Sequence, residues 1–162
     1  MTTIIQEANS SDKNEILALY KSMIGYECCP WTDHYPGEQE IEFDLSRNAL
    51  FVMKDEDGRI LAAISLDDDP AVTSLSFWSK ELAPGAEFAR LAVAKDMQNQ
   101  GIARQMLLYG MEQARKRGFK SAHFLVNKAN VKALRSYEKL QFNMVGECYM
   151  FEQDFWCYEK EL

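Results

Sequence analysis

The stretch Leu91-Ala92-Val93-Ala94-Lys95-Asp96-Met97-Gln98-Asn99-Gln100-Gly101-Ile102-Ala103-Arg104 constrains this chain more than any other. A strand pattern ends at Val93, a polar turn follows, and a helical pattern opens near Gly101. The first N–H groups of a helix have no partner within the helix. Together with the positive end of the helix dipole they form a site for an anion such as phosphate. Gly101 lets the backbone approach a ligand closely, and Ala103 is small for the same reason. Arg104 adds a guanidinium able to make charge-assisted bonds. Taken alone, Gln-x-x-Gly-x-Ala is a weak signal, because many loop-to-helix junctions contain a glycine. Other nucleotide-binding loops are set aside: the chain has no Gly-x-x-x-x-Gly-Lys-Ser/Thr and no Gly-x-Gly-x-x-Gly.

The elements around this turn limit the fold class. Residues 4–8 form a first short strand. Asn9-Ser10-Ser11-Asp12 supplies helix-capping chemistry, with Glu15 three residues beyond Asp12. Ile16, Leu17, Leu19, Tyr20, Met23 and Ile24 then recur at helical spacing. Residues 27–37 are irregular, broken by Pro30, Pro36 and Gly37, yet they carry Trp31, His34 and Tyr35. A short helix is expected over 38–45. Residues 49–53 and 59–66 read as a hairpin around Asp55-Glu56-Asp57-Gly58. Residues 70–85 match no pattern. A strand over 87–93, a helix over 101–116, a strand over 121–126 and a helix over 131–140 follow. Residues 142–147 and 149–159 read as two closing strands with a loose turn between them. The order is β, two helices, a hairpin, then β-α-β-α-β-β, an α/β or α+β domain with a mixed sheet.

The chain has 162 residues and suits one domain over 1–162, long enough to bury a sizeable core. Its net charge is −7, and no long basic block occurs, so it is a poor nucleic-acid binder. The short run Arg115-Lys116-Arg117-Gly118 is what a helix C-terminus favours. The acidity leans toward a cationic substrate, although a solvated acidic surface explains it as well. No run of apolar residues is long enough to span a membrane, and the first residues lack a signal-peptide pattern. A cytoplasmic protein is therefore expected. Cys28, Cys29, Cys148 and Cys157 lack metal-knuckle spacing, so free thiols and no metal site are expected.

A second motif follows the turn: Asn127-Lys128-Ala129-Asn130-Val131-Lys132-Ala133-Leu134-Arg135-Ser136-Tyr137-Glu138-Lys139-Leu140-Gln141-Phe142. Here the chain resembles the GNAT superfamily of N-acetyltransferases. Gln98, Gly101 and Ala103 match that family's pyrophosphate turn, Gln/Arg-x-x-Gly-x-Gly/Ala. Asn130, Ala133, Tyr137 and Phe142 match its later signature, Asn-x-x-Ala-x-x-x-Tyr-x-x-x-Gly-Phe, and Gln141 stands where the family has glycine. The resemblance covers the whole chain in element order and is motif-specific over residues 88–142. It implies one GNAT-like domain, with a mixed, mostly antiparallel sheet flanked by helices and a splay between the fourth and fifth strands.

The resemblance also implies acetyl-coenzyme A as co-substrate. Gln98, Asn99, Gln100, Gly101, Ile102, Ala103 and Arg104 would bind its phosphates. Leu91, Ala92 and Val93 would bind pantetheine by strand-like hydrogen bonds, and Asn130 would reach the pantetheine or its thioester end. Tyr137 would sit near the sulfur and donate a proton to the leaving thiolate. An amine acceptor has a pKa near ~10 and must lose a proton before attack. Glu87, at the start of the strand leading to Val93, is one candidate base, and His34 is the other. The ordinary reading of Glu87 is an exposed strand-end charge, that of Tyr137 a half-buried packing aromatic. His123 lies in a strand and reads as packed. Cys148 and Cys157 lack a nucleophile's sequence context.

The acceptor is expected to be a small primary amine, with a protein N-terminus or lysine as the alternative. Trp31, Tyr35, Trp78, Tyr149 and Trp156 could supply an aromatic surface for it. A non-catalytic acyl-coenzyme A-binding module is the rival of another class. A homodimer is plausible for the resemblance.

Overall fold

A computed structural model describes residues 2–26 and 29–162. Glu27 and Cys28, within the loop singled out above, lie outside the described residues. Contacts divide the chain into two compact units, Met1–Leu66 with Arg90–Gly110 and Asp67–Ala89 with Met111–Leu162.

The first unit opens with strand β1 (Thr3–Glu7), antiparallel to β2 (Leu50–Asp55), which forms a hairpin with β3 (Ile60–Asp67). The Asp55 carboxylate ties the hairpin turn by accepting from the N–H groups of Asp57 and Arg59. Strands β2 and β3 are buried over nearly their whole length, so they read as continuous apolar runs. Helix α1 (Lys13–Ser22) buries Ile16, Leu19 and Tyr20. Its entry differs in one detail from the expected cap. Asn9 caps a short 3-10 turn at Ser10–Asp12, and Asp12 returns the bond to the Asn9 N–H. Glu15 instead accepts from the Ile60 N–H at 2.6 Å, fastening the helix to the hairpin. Helix α2 (Glu38–Ser46) starts after Gly37 and buries Ile41 and Asp44.

Strand β4 (Gly85–Val93) belongs to both units, its residues 85–89 to the second and 90–93 to the first. In the second unit it pairs in parallel with β5 (Ser121–Asn127) through Gly85–Ser121, Ala86–Ala122 and Glu87–His123. Strand β5 then pairs antiparallel with β7 (Gln153–Glu161), and β7 with β6 (Asn143–Met150). The seven strands follow the order β1-β2-β3-β4-β5-β7-β6, a mixed and mostly antiparallel sheet. The parallel pairing of β4 with β5 covers their first residues, whereas β4 runs on to Val93 and β5 to Asn127. A splay between the two strands requires this pattern. Helix α4 (Ile102–Lys116) follows β4 in the chain, and α5 (Val131–Lys139) follows β5.

Side chains alternate along a strand, so the register assigns the two faces of the second unit. His123, Glu159 and Cys157 share one face; Phe124 and Tyr158 share the other. Segment 67–84 covers the first face. Its patternless stretch contains a short helix α3 (Pro70–Thr73), started by the Asp69 carboxylate accepting from the Ala71 N–H, and a 3-10 turn at Lys80–Leu82. The closing hairpin turns at Phe151-Glu152, later than the sequence suggested, with φ of 53° and 61°. Both residues adopt the left-handed conformation without the glycine or asparagine that normally marks it.

Candidate active site

In the first unit, β4 ends at Val93 and the Ala94 N–H bonds to the Leu61 carbonyl at 2.8 Å. A 3-10 turn at Lys95–Met97 follows. The Gln98 side-chain amide then donates back to the Val93 carbonyl at 3.2 Å, so the signature glutamine staples the turn to the strand end. Asn99 (φ 62°) and Gly101 (φ 78°) are left-handed. A Cβ on Gly101 would meet nothing within 4 Å. Within the protein, glycine is favoured there by the backbone angle, not by crowding. The helical ladder begins with the Gln105 N–H bonding to the Gly101 carbonyl at 3.1 Å. The N–H groups of Ile102, Ala103 and Arg104 precede that first bond and face the helix N-terminus. Arg104, Gln100 and Asn99 are exposed. Such a turn fits a pyrophosphate.

Leu91 and Val93 are half-buried and Ala92 is buried, the alternation of a regular strand. The residue before them breaks it. Arg90 has φ 50° in the middle of β4, an angle rare for a long side chain. Its guanidinium bonds both carboxylate oxygens of fully buried Asp44 at 3.0 Å and donates to the Tyr35 hydroxyl at 3.2 Å. Asp44 also accepts from Ser65 at 2.7 Å and from Arg47 at 2.6 Å. The charge of Asp44 is thus met from three sides, the condition under which a buried carboxylate is tolerated. This network fixes both the irregular backbone of β4 and Tyr35. Sequence reasoning overlooked it, since Asp44 sits among acidic neighbours of α2 and nothing in a strand pattern marks Arg90 as its partner.

In the second unit, Glu87 is the third residue of β4 and is 7% exposed. It is not the exposed strand-end charge of the ordinary reading. Its register partner is His123, itself opposite Glu159, so three titratable side chains form a row on one face. His123 is 2% exposed and its ring lies 4.4 Å from Trp78. Burial pushes its pKa down to about 4, so the imidazole is neutral at physiological pH. Glu159 accepts from the Ser79 N–H and hydroxyl.

Tyr137 lies on the opposite face. Its ring packs 4.2 Å from Phe124, with Phe142 and Tyr158 farther out. Loss of solvation pushes its phenol up to about 12, so it keeps its proton across the physiological range. Asn130 caps α5, its side-chain oxygen accepting from the Ala133 N–H at 3.2 Å. Its oxygen is thus engaged by the helix cap.

The remaining candidates have the following surroundings. His34 is exposed, in a turn closed by Thr32 and Tyr35 and by its own N–H donating to the Thr32 hydroxyl. Trp31 stands edge-on to Tyr20 at 5.4 Å, Trp156 lies under the Lys128 ammonium at 4.2 Å, and Tyr149 is exposed. Cys29, Cys148 and Cys157 are free thiols. Among the described residues, no helix is long and apolar enough to cross a membrane.

Comparison with known proteins accords with this geometry. No curated protein sequence matches the chain. Solved structures of similar fold include a GNAT-family acetyltransferase from Listeria monocytogenes, 16% identical with a TM-score of 0.80, covering 99% of this chain and 95% of that one. A ribosomal-protein-alanine N-acetyltransferase from Brucella melitensis is 18% identical with a TM-score of 0.78, over 98% and 99% of the two chains. A phosphinothricin acetyltransferase from Sinorhizobium meliloti, solved with acetyl-coenzyme A, is 16% identical with a TM-score of 0.78, over 100% and 89%. These identities speak for the fold. Residues 16–142 match the profile of the acetyltransferase (GNAT) family, and the chain belongs to that family.

Proposed function

We propose that this chain transfers the acetyl group of acetyl-coenzyme A to the primary amine of a small molecule by direct attack. Glu87 takes the amine proton and Tyr137 gives one to the leaving thiolate. One observation carries this reading. Glu87 and Tyr137 flank the β4–β5 pair from opposite faces, where its parallel pairing ends at Glu87–His123. A reacting group lying in the opening between the strands would have a carboxylate on one side and a phenol on the other.

Each residue suits its step. An amine with a pKa near ~10 arrives as an ammonium and must be deprotonated. Glu87, on a buried strand beside the His123 imidazole, would accept that proton directly or through water. The Tyr137 phenol, held protonated, donates to the sulfur as it departs. Acetyl-coenzyme A supplies the activated thioester, so no nucleophilic side chain is needed. In the first unit, the N–H groups of residues 102–104 and the Arg104 side chain would hold the pyrophosphate. Leu91, Ala92 and Val93 would pair with the pantetheine arm.

Thiol release from acetyl-coenzyme A across a panel of small primary amines tests the reading. At least one amine should be turned over, and Glu87→Gln should lower turnover about a hundredfold or more with acetyl-coenzyme A affinity kept. Turnover by Glu87→Gln equal to wild type would remove Glu87 as base. Thiol release with a peptide N-terminus or lysine, and with none of the small amines, would replace the small-molecule acceptor by a protein. Calorimetry on Gly101→Asp checks the turn: an aspartate there places a carboxylate in the anion site at a disfavoured angle, and binding should be lost.

A further inference from the structure

On the Glu87 face of the second unit lies a cavity of about 80 Å³ that the reaction as proposed does not use. Its rim is formed by exposed Thr73 and Ser79; its floor is buried His123, Glu159 and Ser121. Three features of the floor point to a ligand. Glu159 is 4% exposed, and the bonds it receives come from Ser79, a neutral residue. Neither a lysine nor an arginine pairs with it among the described residues. The Nε2 of His123, 2% exposed, has no hydrogen-bond partner. Ser121 spends its proton on the Leu82 carbonyl, leaving its oxygen lone pairs as acceptors. The floor therefore presents a carboxylate, a neutral imidazole and a hydroxyl oxygen. That set is rich in acceptors and lacks positive charge. It complements a primary ammonium, which carries three donors and no acceptor.

The register gives the distance to the proposed base. Glu87, His123 and Glu159 stand in one row across β4, β5 and β7. Neighbouring strands are about 4.8 Å apart, so a group between His123 and Glu159 lies roughly 5–10 Å from the strand that carries Glu87. A chain of four or five carbons bridges that gap. We infer that the cavity holds the second ammonium of a small aliphatic diamine while its first amine stands at Glu87. The inference rests on the acetyl-transfer reading above and names its acceptor class.

Putrescine and butylamine differ in that second ammonium and serve as the two probes. In thiol-release assays the wild type should favour putrescine over butylamine by tenfold or more in kcat/KM. Glu159→Gln keeps the Ser79 bonds and removes the charge, and should bring the ratio close to one. A ratio near one in the wild type, or an unchanged ratio in Glu159→Gln, overturns the inference while leaving acetyl transfer intact. A binding titration reads the cavity independently of turnover. Putrescine should shift the His123 ring proton resonances saturably, and the shift should vanish in Glu159→Gln. Its absence in the wild type overturns the inference even if amines are acetylated. Absence of thiol release with every amine, alongside a saturable putrescine shift, would sink the transfer reading and keep the ammonium site. Should Glu159→Gln fail to fold by circular dichroism, His123→Asn takes its place, with the same loss of the putrescine preference in kcat/KM expected; an unchanged preference overturns the inference.

Discussion

The two faces of strand β5 do opposite jobs with neighbouring residues. Phe124 points into an aromatic layer with Tyr137, Phe142 and Tyr158. His123, one residue earlier, points into a polar layer with Glu87, Glu159 and Ser79. The aromatic layer excludes water and so raises the Tyr137 phenol, keeping it a donor. In the polar layer His123 and Glu159 are buried too, and Glu159 accepts from neutral Ser79. Both faces bury residues of β5, to different ends: one protects a proton, the other lines a cavity.

The largest effect that would break this contrast is loss of the aromatic layer. Phe124 touches three rings and is 4% exposed. Phe124→Ala should cost about 3–5 kcal/mol in denaturant unfolding, since the rings cannot all collapse onto the gap. A cost under ~1 kcal/mol would mean that the layer repacks freely and does not hold Tyr137.

The polar face should show itself in pH dependence. The folded pKa of His123 is about 4, below its unfolded value near ~6.5. Between those values the unfolded chain binds the proton and the folded chain does not. Stability is therefore full above pH 6.5 and falls as pH drops toward 4, by on the order of 3 kcal/mol. Glu87 and Glu159 face the same imidazole and pull the other way. His123→Asn should flatten this part of the stability profile. Equal profiles for both proteins would show that the two carboxylates solvate the imidazolium as well as water does.

Tyr137→Phe separates chemistry from packing on the aromatic face. The ring and its contacts stay, and the proton goes. Turnover should fall about a hundredfold, about 2.7 kcal/mol of barrier, with acetyl-coenzyme A affinity within threefold. Unchanged turnover would return Tyr137 to the packing role alone.

The sequence made the two faces unequally legible. Tyr137 and Phe142 come from one contiguous motif on one helix and its exit, so a single pattern reveals the aromatic side. The turn at residues 98–104 was legible for the same reason, being a local feature of strand, polar turn and helix. The polar face is assembled from Ser79, Glu87, His123 and Glu159, far apart in sequence and each ordinary alone. His123 read as packed, which is true of its burial but silent about the cavity beside it. Arg90 was missed because a left-handed angle inside a strand has no residue signature when a buried carboxylate, Asp44, compensates it. The closing turn at Phe151-Glu152 was misplaced for a related reason: two ordinary residues adopt angles that pattern reading assigns to glycine.

The same substitution of an ordinary residue for glycine holds up the aromatic face and gives the smallest effect. Helices α4 and α5 end in the same motif. At α4, the Phe119 N–H reaches the Ala114 carbonyl and the Gly118 N–H the Arg115 carbonyl, with Gly118 at φ 91°. At α5, the Phe142 N–H reaches Tyr137 and the Gln141 N–H reaches Glu138, with Gln141 at φ 66°. The bonds are equivalent, and the residue at the left-handed position differs. The departure at Gln141 therefore leaves the turn's conformation intact, and its cost is strain. A left-handed angle costs an ordinary residue about 1–2 kcal/mol, and glycine gives back part of that through its freer unfolded chain. Gln141→Gly should stabilise the protein by about 1 kcal/mol net, a rise of roughly 2–4 °C in Tm. Turnover should not rise with it, because Tyr137 and Phe142 already hold their places through bonds that the glycine would repeat. A lower Tm in the variant would mean that the Gln141 side chain, not the turn, secures the end of α5.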